Sequence, residues 1–200
     1  MREALQSCEH VGRTRGFPAG LALALDGADA DAAPGRLAAL PSDTVAPGAE
    51  VVPHRLAARE GVTFVRRTGR RRVPADGGTA LAARLAALRL GVTHALRERA
   101  VAHLAARVSG GEPTLRKQLV RGALADALVT VETVRRTLLV AGDMAGTVVE
   151  CHQRLTETDW ELTKLLGASG YAGRTTASTA STAFVARLTA NCWLPTGVGR

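Results

Sequence analysis

The chain is poor in aromatic side chains, with one tyrosine, two tryptophans and three phenylalanines among its 200 residues. Its apolar fraction is nevertheless 46%, so alanine, leucine and valine must fill the core. Alanine and leucine favour close-packed helices, whereas a β-sandwich would need more β-branched and aromatic residues. The scarcity of aromatics therefore argues against an all-β protein and predicts a mainly α-helical one.

Lysine is almost missing as well, since all but two of the 26 basic residues are arginine. Arginine in place of lysine, together with abundant alanine and glycine, is typical of a GC-rich genome, and this weakens any inference from the net charge of +8. The one dense basic cluster, residues 66–72, has only Phe64 nearby as a stacking platform. A nucleic-acid binder concentrates its charge beside aromatic residues, so we expect no nucleic-acid partner.

Paired cysteines and long apolar runs are also missing. Cys8, Cys151 and Cys192 have neither the spacing of a disulfide scaffold nor that of a zinc site. No apolar run approaches the roughly 18 residues of a membrane helix, and residues 1–10 contain no apolar signal-peptide segment. We therefore expect a cytoplasmic protein without a metal site and without a membrane-spanning segment.

The first part of the chain, residues 1–76, is broken repeatedly by glycine, proline and aspartate. Short apolar runs between these breaks, such as residues 21–25 and residues 62–65, fit strands joined by turns. The segment is too short and too interrupted for a complete barrel. We therefore expect a truncated, β-rich segment that forms a small partial sheet.

The second part, residues 77–200, has the apolar spacing of helices. Breaks at residues 109–113, 141–146 and 167 separate three long helices, and residues 175–190 fit a weaker fourth. In the second of these helices, Leu128 is expected on the buried face and Arg135 on the exposed face, paired with Glu132. The fold predicted for this part is an up-and-down four-helix bundle.

Several motifs of the helical part resemble the C-terminal bundle of the acyl-CoA dehydrogenase family, in the same order and with nearly the same spacing. The four main ones are RRRVPADGG at residues 70–78, AALRLG at 86–91, RVSGGEP at 107–113 and LLGASGY at 165–171. The resemblance implies a bundle domain preceded by a remnant of the family's middle β-domain. It also implies an oligomer, because this family builds its subunit interfaces from the bundle and shares its flavin sites between subunits.

The departures from the family's pattern concern the flavin and the catalytic base. The family's N-terminal helical domain has no counterpart here, and the middle domain is much reduced. Arg107 matches the arginine of the family's flavin-binding RxQF motif, but Ser109 and Gly110 stand at its glutamine and phenylalanine. The family's catalytic base is a glutamate that different members place at one of two positions. The stretches of this chain that correspond to those positions, residues 79–87 and 194–197, contain no carboxylate. The chain alone is therefore expected to bind no cofactor. Binding of FAD is expected only in a site that is shared with a partner subunit.

Three residues are the candidates for such a shared site. Arg107 can grip a diphosphate, and Gly167 and Gly170 of the GASG sequence can offer backbone amides. The alternatives are that Arg107 caps a helix C-terminus and that the glycines only end a helix.

The function implied by the resemblance is that of a degenerate acyl-CoA-dehydrogenase-like subunit, a pseudoenzyme in specialised metabolism. Its partner is either a second copy or, as the sequence favours, a different chain. The alternative is a repurposed non-redox enzyme that carries out elimination, cyclisation or group transfer on a small molecule. His152 and Asp159 are its candidate catalytic pair, because their spacing places them on one helix face. Such residues equally serve structure, as a histidine bonded to a neighbouring helix and a carboxylate at its rim.

Overall fold

The computed structural model describes residues 1–26, 28, 30–67, 75–168 and 179–194, without the side chains of residues 75–77 and 179. Most of this part of the chain is helical. A small antiparallel sheet comes after the first two helices and before the later ones along the chain. The mainly α fold with a partial β segment is thus confirmed. The division into domains at residue 76 stays a prediction.

Two helices begin the chain, α1 (Arg2–Thr14) and α2 (Phe17–Ala24). Gly16 separates them with a φ of 88°, and Pro18 lies in the first turn of α2, where its missing amide costs nothing. The prediction of a strand at residues 21–25 is wrong, because most of this run belongs to α2. Its leucines and alanines alternate as in a strand, but both residue types favour a helix.

The sheet has three strands, and they follow the two helices. Its elements are β1 (Leu37–Pro41), β2 (Val51–Val52), the short helix α3 (Arg55–Arg59) and β3 (Val62–Arg66). The strand order is β1-β3-β2, and both pairings are antiparallel. The predicted small partial sheet is therefore present, and β3 is its central strand.

The second part of the chain forms the predicted bundle. Its elements are α4 (Ala75–Ala105), the hairpin strands β4 (Val108–Ser109) and β5 (Glu112–Pro113), and the helices α5 (Gln118–Ala141), α6 (Ala145–Leu165) and α7 (Thr179–Trp193). Helix α4 contacts the other three. Trp193 at the end of α7 is buried and donates a hydrogen bond to the Ala39 carbonyl oxygen at 3.0 Å, which joins the bundle to β1.

Helix α1 packs against α4 at very short range. A Cβ atom at Gly91 of α4 would lie 2.2 Å from the Glu9 carbonyl oxygen and 2.8 Å from the Arg13 amide nitrogen. At Gly12 of α1, a Cβ atom would likewise lie 2.7 Å from the Leu88 carbonyl oxygen. The two backbones can approach this closely only because both positions lack a side chain. This contact explains physically why a glycine ends the AALRLG motif.

Two side chains of α5 lie elsewhere than predicted. Leu128 is 38% exposed, so its assignment to the buried face is wrong. Arg135 does pair with Glu132, but it is half-buried, and its Nε donates to Glu9 Oε1 at 3.0 Å. The hydrogen bond to Glu9, and then the one to Glu132, raise the pKa of Arg135 above its ordinary value. The expectation of an exposed arginine failed because α1, which the sequence analysis did not predict, covers this side of α5.

Candidate functional site

A buried polar cluster joins α4 to α6. We call it the Arg89 cluster, and it consists of Arg89, Thr93, His152, Thr156 and Asp159. Arg89 is 2% exposed, and its Nη1 donates to the His152 carbonyl oxygen at 3.0 Å and to His152 Nδ1 at 3.2 Å. Each of these interactions crosses from one helix to the other.

The opposite side of the Arg89 guanidinium faces a hydroxyl and a carboxylate. Its Nη2 donates to Thr156 Oγ1 at 2.9 Å and lies 3.4 Å from Asp159 Oδ2. Thr93 Oγ1 donates to the second carboxylate oxygen, Asp159 Oδ1, at 2.7 Å. A buried charge is tolerated only when it is paired and hydrogen-bonded, and here both charged groups are.

Burial sets the protonation of His152. Its Nε2 donates to the Ala82 carbonyl oxygen at 3.0 Å, so its Nδ1 is the unprotonated nitrogen that accepts from Arg89. Burial, and then the charge of Arg89, lower the pKa of His152 to about 3. The imidazole is therefore neutral at physiological pH, and both of its nitrogens are occupied.

Burial acts on Asp159 in the opposite sense. It raises the pKa of this carboxyl, and the charge of Arg89 and the hydrogen bond from Thr93 counteract the rise. Burial also lowers the pKa of Arg89, which the charge of Asp159 counteracts. Each group of the pair therefore stabilises the charged form of the other.

The structure thus brings the two predicted catalytic residues together, but around an arginine that the sequence analysis did not select. The signal was present, because Arg89 is the only charged residue in the AALRLG motif and interrupts the apolar face of α4. Hydrogen bonds that run between α4 and α6, and a neutral imidazole with both nitrogens occupied, are typical of a cluster that holds two helices together, although Arg89 Nε is buried without a hydrogen-bond partner among the described residues. The catalytic role of His152 and Asp159 stays a prediction.

The low pKa of His152 makes the stability of the protein depend on pH. The unfolded chain binds a proton as the pH falls through 6.5, whereas the folded protein does so only near 3, so stability is lost across this interval. As the pH falls from about 7 to about 5, protonation of His152 in the unfolded chain should lower the free energy of unfolding by about 2 kcal/mol. We expect His152→Gln to reduce the pH dependence of the free energy of unfolding by this amount, as measured by urea denaturation. An unchanged pH dependence would contradict the buried, neutral imidazole.

Two of the candidate cofactor residues also lie close together. Arg107 follows α4 and Gly167 follows α6, and Arg107 Nη1 lies 4.0 Å from the position of a Cβ atom on Gly167. The Arg107 side chain is exposed, and its Nη1 lies 3.0 Å from His103 Nε2. Gly170, the third candidate, lies outside the described residues.

These residues do not by themselves fit a flavin diphosphate. The Gly167 amide donates to the Lys164 carbonyl oxygen at 3.0 Å, so it is not available to a phosphate. Both helices present their C-terminal ends here, where carbonyl groups disfavour an anion. Of the candidate residues that the structure describes, only Arg107 therefore offers a group that could bind a phosphate. The expectations of no cofactor for the chain alone, and of FAD only in a shared site, stay predictions.

A second buried carboxylate was not predicted. Glu60 follows α3, is 5% exposed and accepts hydrogen bonds from Ser181 and, at 2.7 Å, from Thr182 in the first turns of α7. A carboxylate is favoured at a helix N-terminus. Glu60 also lines a cavity of about 390 Å³ whose other walls include Phe17 and Val92. Neither His152 nor Asp159 lines this cavity.

Two further observations limit the kinds of site. Within the described ranges, no three histidine, cysteine or acidic side chains are grouped so that they could hold a metal ion. None of the helices in this part of the chain is long and apolar enough to cross a membrane.

The chain has an acyl-CoA dehydrogenase-like fold, as the motifs predicted. It is similar to FkbI, for biosynthesis of the methoxymalonyl extender unit of the Fk520 polyketide immunosuppressant, with a TM-score of 0.54 and 20% identity over 73% of this chain and 46% of that one. It is also similar to glutaryl-coenzyme A dehydrogenase in its glutaryl-CoA complex, with a TM-score of 0.50 and 18% identity over 75% and 42% of the two chains. The chain thus spans less than half the length of either protein. No protein-family description and no curated protein matches the sequence.

Proposed function

We propose that this chain is a subunit of an oligomeric acyl-CoA-dehydrogenase-like enzyme and that it assembles through α5. The observation that carries the proposal is the exposure of large apolar side chains on this helix. Leu119, Val129 and Val140 are 89%, 65% and 84% exposed, respectively. Apolar groups concentrated on one exposed face are typical of an interface rather than of a solvated surface.

We also propose that this chain alone does not catalyse the dehydrogenation that is typical of the family. The segments that resemble the family's base positions contain no carboxylate, and a threonine hydroxyl such as that of Thr196 is far too weak a base at neutral pH. We infer that dehydrogenation needs groups from another subunit and that FAD binds only where a partner completes the site. The likeness to FkbI, a biosynthetic protein by its name, supports a place in specialised metabolism.

The cavity beside Glu60 favours a second candidate, a repurposed non-redox enzyme. Glu60 is a carboxylate that borders a mainly apolar cavity, and ligand sites are typically apolar cavities with a few polar groups in their walls. In this alternative the cavity binds a small molecule and Glu60, rather than His152, exchanges the proton. Retention of cavity binding with loss of turnover in Glu60→Gln would support this function.

Assembly through α5 is tested with a single substitution. Val129→Glu is expected to reduce the solution mass from that of an oligomer to that of one 20.8 kDa chain, because a buried, unpaired carboxylate is costly. The measurement is light scattering after size-exclusion chromatography. The control is Gln153→Glu, which adds the same charge at an exposed position of α6 and should keep the wild-type mass. An oligomer that Val129→Glu leaves intact would contradict assembly through α5.

A further inference from the structure

The cavity beside Glu60 lies where four segments of the chain meet. The turn between α1 and α2 contributes Gly16, the end of α3 contributes Glu60, α4 contributes Val92 and α7 contributes Thr182. Its volume of about 390 Å³ lies in the lower part of the range of about 300 to 1,000 Å³ that ligand pockets have. The cavity therefore suits a small ligand.

The charges of this cavity differ between its rim and its interior. Among the described residues that line it, three are charged, namely Arg13, Arg59 and Glu60. Both arginines are exposed, whereas Glu60 is buried. Arg13 also pairs with Glu98, but a guanidinium has five N–H donors and can bind a second carboxylate beside the first. The rim is therefore suited to an anionic group of a ligand.

The Glu60 carboxylate can accept further hydrogen bonds. Each of its oxygens accepts one, from the Ser181 hydroxyl and from the Thr182 hydroxyl, whereas a carboxylate has about four lone-pair sites. Within the described ranges, these partners are neutral hydroxyls, and no basic side chain forms an ion pair with Glu60. A buried carboxylate is stabilised most by a cationic donor. An ammonium group is therefore the ligand group that this position favours.

The rest of the cavity wall is mainly apolar. Phe17 and Val92 are buried, and Pro18 and Ala95 are half-buried. A ligand that extends from the rim to Glu60 also contacts these side chains. Burial of an apolar group of the ligand against them favours binding.

We propose that the cavity beside Glu60 binds an apolar α-amino acid. The ammonium group of the ligand contacts Glu60, and its carboxylate contacts Arg59 and Arg13. Its side chain packs on Phe17. The inference rests on the second candidate function, in which this cavity binds a small molecule, and it names the class of that ligand.

The spacing of the charges favours an amino acid over a molecule with one charge. An α-amino acid carries both charged groups on one carbon atom, and Arg59 and Glu60, which meet them, are consecutive residues that line the same cavity. A simple carboxylic acid would leave Glu60 without a cationic partner. A simple amine would not use the guanidiniums at the rim.

Leucine and two compounds that each lack one of its charges test the proposal. Isocaproate lacks the ammonium group, and isoamylamine lacks the carboxylate. Isothermal titration calorimetry of the wild-type protein should show saturable binding of leucine. Each of the other two should bind at least about tenfold more weakly, because each loses a charge-assisted contact. Isocaproate or isoamylamine that binds as tightly as leucine would overturn the proposal.

Variants of the cavity locate the two contacts. Glu60→Gln should weaken the binding of leucine at least about tenfold and change that of isocaproate less than about twofold, because the amide keeps the size but loses the charge. Arg59→Gln should weaken the binding of both compounds. The control is Arg55→Gln, which removes an exposed charge of α3 outside the cavity and should bind leucine like the wild type. Circular dichroism verifies that the variants are folded.

The outcomes separate this inference from the second candidate function. If isocaproate binds as tightly as leucine and Arg59→Gln weakens both, the cavity still binds a small molecule and only the ligand class is wrong. Isocaproate that Glu60→Gln still binds also reports the retained cavity binding that the second candidate function requires. If none of the three compounds binds, the proposal fails, and the second candidate function requires a ligand of another class.

Discussion

Replacing Gly91 with alanine is expected to lower the free energy of unfolding by about 3 kcal/mol. The new Cβ atom would lie 2.2 Å from the Glu9 carbonyl oxygen and 2.8 Å from the Arg13 nitrogen. Both are backbone atoms of α1, so the overlap is relieved only if the two helices separate. Such a shift also loosens the contact of Leu88 with Gly12 and Gly20. Elsewhere in a helix, the same substitution gains about 1 kcal/mol, so the expected sign is reversed here.

The control for this prediction is Gly146→Ala. Gly146 is exposed in the first turn of α6, and a Cβ atom there has no neighbour within 4 Å. We expect this variant to be as stable as the wild type or slightly more stable. Urea denaturation, monitored by circular dichroism, gives the free energy of unfolding of both variants. A Gly91→Ala protein as stable as its control would show that α1 does not pack on α4 as described.

The second large effect is expected for Arg89→Met, which should lower the free energy of unfolding by about 3 to 5 kcal/mol. Methionine keeps much of the volume but removes the charge, so Asp159 remains buried without its counter-ion. His152 Nδ1 and Thr156 Oγ1 also lose their donor. The control is Arg154→Met on α6, which removes an exposed ion pair with Glu150 and should cost less than about 1 kcal/mol.

A double variant shows whether the cost comes from the cluster. Removing Asp159 together with Arg89, as Arg89→Met with Asp159→Leu, leaves no buried charge behind. Its loss of stability should therefore be smaller than the sum of the losses of the two single variants. Additive losses, or an Arg89→Met variant as stable as its control, would contradict the coupling of these residues in the core.

The bundle could be predicted because its apolar spacing is regular and its helices end at glycine-rich breaks. Gly110 and Gly111 illustrate this, since both adopt positive φ in the two-residue turn between β4 and β5. Helix α2 was missed for a local reason. Its alternating leucine and alanine residues match the period of a strand, although both residue types favour a helix.

The candidate site was predictable in part. The spacing of His152 and Asp159 placed them on one face of α6, and the structure agrees. Their common partner, Arg89, lies on another helix, and no local pattern states which helices become neighbours. The same limit applies to Glu60, whose hydroxyl partners lie about 120 residues further along the chain. Long-range pairs of this kind depend on tertiary packing rather than on sequence spacing.

The central claim is that the chain assembles with another subunit through α5. The most direct test is the molar mass of the purified wild-type protein by sedimentation velocity over a range of micromolar concentrations. We predict a mass that rises with concentration above the 20.8 kDa of one chain. A single 20.8 kDa species at every concentration that unfolds cooperatively would contradict the claim. The cavity beside Glu60 would then become the better guide to what the protein does.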